Sequence, residues 1–261
     1  MSFFVKRSRG LLFLLLVLLT GCSPPQQDGT VISTAASLKE SMEEIKVIYE
    51  NEYPNQRLIF NYGGSGSLRR QIEQGAPADV FLSASKEHAQ SLAKEDLIEL
   101  HSDKVFLRNS LVVIGSKDHT YKSLEHMIRE GGRIAIAIPE TTPAGRYAKQ
   151  ALEHEGMWDE AEDRLVYGKD VSHVLTLVEQ QNVAAGFVYQ SDAIKSSRVK
   201  IIEQLDASLH DPIEYYAGIV KKSSTSREAE QFIQFLYRDD IQSIMEEHGF
   251  LKGERYPAGS G

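Results

Sequence analysis

The feature that most restricts what this chain can become is the alternation of short apolar runs with stretches of helical period. Thr30-Val31-Ile32-Ser33 reads as a strand, and Leu38, Met42, Ile45, Ile48 and Tyr49 then recur at helical spacing up to Pro54, with Ser37 where an N-cap belongs. Further strands are predicted at Leu58 to Tyr62, Val80 to Leu82, Leu111 to Gly115, Arg133 to Ile138, Leu165 to Gly168 and Ala184 to Tyr189. Helical stretches lie between them, such as Leu68 to Gln74, Lys86 to Lys94 and the run carrying Val174, Leu175 and Val178. Such a series predicts parallel β-α units and an α/β fold class, and the absence of a short-period repeat argues against a solenoid.

The series breaks once. The chain goes out near Leu111, builds a second set of units and returns near Ile213 along a strand ending at Val220, followed by closing helices over Arg227 to Tyr237 and Ile241 to His248. This predicts two lobes with two crossings: lobe 1 over 30–110 and 218–261, lobe 2 over 111–217. The cleft outside the carboxyl ends of the strands is where such a fold binds ligands.

Ahead of the body, Lys6, Arg7 and Arg9 precede the apolar run Leu11 to Leu19, which ends at Thr20-Gly21-Cys22. The run is too short to span a bilayer, which takes roughly 20 residues, so 1–21 reads as an export signal. Leu19-Thr20-Gly21-Cys22 resembles the bacterial lipobox, which implies cleavage before Cys22, a lipid on its sulfur and an extracytoplasmic protein anchored to the membrane. Residues 22–29 then form a polar tether. Cys22 is the only cysteine, so a disulfide within the chain and a multi-cysteine metal site are both excluded. With 37 acidic against 29 basic residues and a net charge of −8, before the basic signal is removed, the body is unsuited to nucleic acid.

Five strand-to-helix junctions share one chemistry: Ala35-Ala36-Ser37, Gly64-Ser65-Gly66, Pro143-Ala144-Gly145, Lys169-Asp170-Val171 and Val188-Tyr189-Gln190-Ser191. Each places a hydroxyl or a free amide at a helix start, where unpaired N–H groups and the positive end of the helix dipole attract anions without a cation at the apex. A lone serine at such a place is commonly only a cap. Ser65, flanked by two glycines, stands out because naked backbone on both sides lets a ligand approach the main chain. Tyr189 has the alternative role of covering a sheet edge. Gly63-Gly64-Ser65-Gly66-Ser67 lacks the final glycine of a hydrolase elbow, and Leu68-Arg69 stands where a phosphate loop needs Gly-Lys-Ser or Gly-Lys-Thr. The eight histidines form no His-x-x-x-His or His-Glu-x-x-His pair, so no protein-bound metal cation is expected.

Taken in order, Ala35-Ala36-Ser37-Leu38, Gly64 to Leu68 running into Arg70 to Phe81, Pro139-Glu140 with Pro143 to Ala148, Tyr167 to Val171, and Gly186 to Ala193 resemble the molybdate-binding proteins of bacterial ABC importers. Asn109 to Val113 and His248-Gly249-Phe250 extend the resemblance over nearly the whole chain after the signal. It implies a type II periplasmic-binding fold, two α/β lobes joined by two crossing strands. It also implies a monomeric receptor, not an enzyme and without a cofactor, that closes on molybdate or tungstate and delivers it to an ABC permease. The family's oxyanion donors fall on Ser37 and Ser65 (hydroxyl and amide of each), the amides of Ala144 and Val171, and the phenol of Tyr189. Relatives carry further serines around the second position where this chain has Gly64 and Gly66, which leaves Ser65 and Ser67 both open as the hydroxyl donor there, with Ser65 preferred. On the residues alone, receptors for sulfate, phosphate or a small organic anion, and a serine hydrolase using Ser65, are the alternatives.

Overall fold

A computed structural model describes residues 29–100, 105–118, 120–140, 142–223 and 225–253. The expected signal segment, Cys22 and the tether as far as Asp28 lie outside the described residues. The chain opens with β1 (Thr30–Ala35), a 3₁₀ turn at Ala36–Leu38 and α1 (Lys39–Glu52), then β2 (Leu58–Gly63), α2 (Ser65–Glu73), β3 (Val80–Ser83), α3 (Lys86–Lys94), β4 (Ile98–Leu100) and β5 (Leu107–Arg108). Next come β6 (Leu111–Ser116), α4 (Leu124–Arg129), β7 (Ile134–Ala137), α5 (Pro143–His154), α6 (Trp158–Ala161), β8 (Leu165–Gly168), α7 (Val171–Glu179), β9 (Ala185–Tyr189), α8 (Gln190–Ala193) and β10 (Val199–Gln204). The chain closes with β11 (Glu214–Val220), α9 (Ser226–Leu236), α10 (Asp239–Glu247) and β12 (Leu251–Lys252).

Two sheets result, in the order β12-β5-β11-β3-β1-β2, with β4 also on β11, and β10-β6-β9-β7-β8. The two-lobed α/β fold is as expected, with one difference in strand direction. β1 runs parallel to β2 and β3, and β7 to β8 and β9, but β11 is antiparallel to β3, β4 and β5, and β6 is antiparallel to β9 and β10. The β-α units supply the parallel strands; the strands that carry the chain between sheets have no crossover helix and enter from the opposite end. β10 escaped the sequence reading because Lys200, Glu203 and Gln204 interrupt its apolar pattern and a bulge falls between Ile201 and Glu203, features of an edge strand.

The expected lobe boundary at Gly218 falls inside β11. All of Glu214–Val220 lies in the first sheet, paired through Tyr216↔Ser83 to Ile219↔Val80 and through Tyr215↔Leu107, so residues 214–217 go with lobe 1. The two crossings lie side by side: Asn109 N–H donates to Ile213 C=O at 3.0 Å, and Leu205 N–H to Leu111 C=O at 3.0 Å.

One core cluster runs through both lobes. On α1, Met42, Ile45 and Tyr49 are fully buried against Ile32 and Leu58, at the spacing that lines one helix face. The helix stops before Pro54, whose ring disfavours helical backbone at Tyr53. Tyr49 meets Phe232 at 5.3 Å and Phe235 at 5.0 Å between ring centroids, both edge-on, which fastens α9 to α1. Buried Asp79 accepts from Val31 N–H at 2.7 Å and from the Ser223 hydroxyl at 2.6 Å, tying the start of β3 to β1 and to the chain after β11.

Candidate functional site

Strand register decides where the five junctions go. In the first sheet Ala35 lies beside Gly63 and Thr34 beside Leu82, so β1, β2 and β3 end together and hand the chain to Ser37, Ser65 and the Ala84-Ser85 turn. In the second, Ala137 lies beside Gly168 and Ala135 beside Gly186, so β7, β8 and β9 also end together, ahead of Ala144, Val171 and Tyr189. All five residues therefore follow carboxyl ends of parallel strands, two on one sheet and three on the other.

Ser37 is not a helix cap. It sits in the middle of the 3₁₀ turn, half-buried, and α1 begins without any side-chain cap; the Ser37 hydroxyl instead pairs with the Tyr215 hydroxyl at 3.1 Å. Ser65 is the first residue of α2, with exposed Gly64 in the capping position and no side-chain cap. Its hydroxyl oxygen accepts from Ala84 N–H at 3.0 Å, which joins the second and third strand ends. Of its two glycine neighbours, only Gly64 is open: a Cβ there would meet nothing within 4 Å. At Gly66 a Cβ would come within 2.9 Å of His88 Nε2, so this glycine admits the histidine ring and not a ligand. Ser67 is exposed, its N–H bonded to Gly64 C=O.

On the second sheet, α5 is capped by Thr142, whose hydroxyl accepts from Gly145 N–H at 3.2 Å, with Pro143 at the first helical position. Thr142-Pro143 carries that signal in the sequence, a capping hydroxyl followed by proline at the first helical position. Gly145 is there for close approach, since a Cβ would lie 2.1 Å from Ala137 C=O; the first turn of α5 rests directly on the end of β7, with Ala144 buried. α7 is capped by Asp170, which accepts from His173 N–H at 2.8 Å, leaving Val171 as the first helical amide. Tyr189 ends β9. Burial pushes its phenol well above the ordinary value, reinforced by Tyr215, Tyr147 and Asp192 nearby and opposed by Arg146, so the group stays protonated and able to donate at neutral pH.

The lobes meet around Asn109, between β5 and β6. Buried Asn109 donates from Nδ2 to Ser191 Oγ at 2.8 Å and to the Tyr215 hydroxyl at 3.4 Å, and the Tyr215 hydroxyl reaches Ser37. These bonds link Ser37 of lobe 1, through Tyr215 and Asn109, to Ser191, two residues beyond Tyr189; Ser65, Ala144 and Val171 are positioned by the strand ends they follow. Lys195 adds an ion pair across the lobes, 2.7 Å to Glu40 on α1. Among the described residues no three His, Cys, Asp or Glu side chains gather as a cation site, and no helix is long and apolar enough to cross a membrane.

Over residues 30–251 the chain matches the model of a family described as bacterial extracellular solute-binding protein. It belongs to that family. Among solute-binding proteins similar to it, the putative ABC transporter substrate-binding lipoprotein YvgL of Bacillus subtilis is 38% identical over 90% of this chain and 93% of its own. The molybdate-binding protein ModA of Haemophilus influenzae is 32% identical over 84% and 88%. A solved structure, the substrate-binding domain of a putative molybdenum ABC transporter from Clostridium difficile, superposes with a TM-score of 0.80 at 39% identity, covering 87% of this chain and 99% of that one.

Proposed function

We propose that the protein is an extracytoplasmic receptor that captures molybdate or tungstate and passes it to an ABC importer, tethered to the membrane through a lipid on Cys22 and acting as a monomer. The observation that carries the reading is the placement of five uncharged donor positions, Ser37, Ser65, Ala144, Val171 and Tyr189, at the carboxyl ends of parallel strands in both sheets. The relatives whose names specify molybdate support the choice of ion, and the lipoprotein name of the Bacillus relative supports the anchor.

A tetrahedral dianion accepts hydrogen bonds on four oxygens. Each charge-assisted bond contributes roughly 1.5–3 kcal/mol, enough in sum to exceed the cost of bringing two lobes together. Serine and tyrosine hydroxyls and main-chain amides supply these bonds without the desolvation cost of a buried cation. Discrimination against sulfate follows from cavity size, because a smaller ion of the same charge leaves donors unpaired. Closure is a hinge motion about the paired crossings near Leu111 and Ile213, with donors from both lobes completing the shell.

Calorimetric titration with molybdate, tungstate, sulfate and phosphate tests the ion. Ser65→Ala and Tyr189→Phe are each expected to weaken molybdate binding by about 1–3 kcal/mol without unfolding the protein. Unchanged affinity in both variants removes these residues from the site, and preference for sulfate or phosphate replaces the proposed ligand.

A further inference from the structure

One cation beside the donor positions is left over after the local charges are paired. Arg146 lies in the first turn of α5, two residues beyond Ala144, and is exposed although Gly145 before it and Tyr147 after it are buried. Its guanidinium carbon sits 5.4 Å from the centre of the Tyr147 ring, which holds the side chain against the protein while leaving the charge in contact with water. The Tyr189 phenol at the end of β9 feels the same charge, since Arg146 opposes the upward push that burial gives it. Arg146 is therefore close to two of the five donor positions, to the Ala144 amide along the chain and to Tyr189 through space.

The other charges in this neighbourhood are mainly carboxylates. Asp192 faces Tyr189, and Asp211 and Glu214 face Tyr147. Their own partners lie elsewhere: Lys195 is 2.7 Å from Glu40 and 3.5 Å from Asp192, Arg108 is 3.6 Å from Glu214, and Gln150 Nε2 donates to Asp211 at 2.9 Å. Among the described residues no carboxylate stands within ion-pair distance of Arg146. A chain with 37 acidic against 29 basic residues repels a dianion, and an exposed, uncommitted cation offsets that repulsion at one place on the surface.

We propose that Arg146 steers the oxyanion into the cleft, as a rim cation that speeds capture and is not a ligand of the held ion. The inference rests on the oxyanion reading above and adds to it the place at which the ion enters. A steering charge acts on association and is screened by salt, whereas a charge that touches the bound ion acts on dissociation and is screened little.

The test is stopped-flow fluorescence on the full chain with molybdate at ionic strengths of about 0.01 M and about 1 M, between which the Debye length falls from about 30 Å to about 3 Å. Arg146→Gln, which keeps most of the stem that lies on Tyr147, is expected to slow association about three- to tenfold at low salt and less than about twofold at high salt, with dissociation changed less than about twofold at both. Arg146→Lys is expected to recover most of the lost rate, and Arg146→Glu to slow association further than Arg146→Gln. Association of Arg146→Gln as fast as the wild type at low salt overturns the proposal. A defect that persists undiminished at high salt, or that resides in dissociation, overturns it as well, and makes the arginine a ligand of the bound ion or a packing residue on Tyr147. A wild type that binds none of molybdate, tungstate, sulfate and phosphate overturns the oxyanion reading itself.

Discussion

Gly145→Ala separates two opposed local effects. In an isolated helix alanine is the better residue by about 1 kcal/mol, and the substitution would count as stabilising. Here the added Cβ would lie 2.1 Å from Ala137 C=O, 2.7 Å from the Ala137 carbonyl carbon and 2.8 Å from that of Ile138, all main-chain atoms at the end of a buried central strand. The contact falls roughly 1 Å short of ordinary separation, and neither side is a flexible side chain that can turn away, so the first turn of α5 must lift off β7. Overpacking costs about 1–3 kcal/mol, and so short a contact against rigid main chain belongs at the upper end, about 2–3 kcal/mol, which outweighs the propensity gain and leaves a net loss of about 1–2 kcal/mol, or a few degrees in Tm for a protein of this size. The Ala144 amide rides on the same turn, so molybdate affinity is expected to fall as well, by about tenfold if one charge-assisted bond is lost. Chemical denaturation of the unliganded protein, followed by titration with molybdate, measures the two separately. A variant as stable as the wild type, or more so, would refute the packing argument; a destabilised variant with full affinity would remove the Ala144 amide from the site.

Two further outcomes concern stability alone. Phe232→Ala, which empties a fully buried position against Tyr49 and Phe60, is expected to cost about 3–5 kcal/mol by chemical denaturation, and a loss below 1 kcal/mol would mean that the α9–α1 seam collapses around the gap. At Glu40, burial raises the carboxyl but the hydrogen bond and charge of Lys195 outweigh it, so the group lies below the ordinary glutamate value. A lowered folded value means that the pair stabilises above the unfolded glutamate range and that this contribution is lost as pH falls through the folded value. With Glu40 half exposed the effect is small, at most about 1 kcal/mol: Glu40→Gln, which leaves the Lys195–Asp192 contact in place, should be less stable than the wild type near neutrality and indistinguishable from it in strong acid, and a difference that persists undiminished at low pH would assign the loss to something other than the ion pair.

Local pattern was a good guide to elements whose burial repeats with the period of the backbone. Lys86–Lys94 and Leu165–Gly168 are found within the bounds read from the sequence, because nothing distant is needed to define them. β10 was missed because an edge strand with one wet face carries charges where a buried strand carries apolar residues. The return strand was recognised but its lobe was not, since allegiance depends on which sheet offers hydrogen-bond partners, and β3 and β5 offer them to Glu214–Val220 from its first residue. A serine before a helix commonly caps it, but the 3₁₀ turn carries the Ser37 hydroxyl away from the helix and toward Tyr215, 178 residues further on.

Sequence alone determined the alternation of strands and helices, the acidic body, the single cysteine and the run of small and hydroxyl residues at the junctions, because each of these is a property of neighbours along the chain. Tertiary structure alone decided that one glycine beside Ser65 is open while the other is filled by His88, that Gly145 lies against Ala137, and that Asn109 and Tyr215 stand behind Ser37. The reason is one of range: a backbone period or a cap is settled within a few residues, whereas a contact between residues far apart along the chain is settled only by where the fold places them.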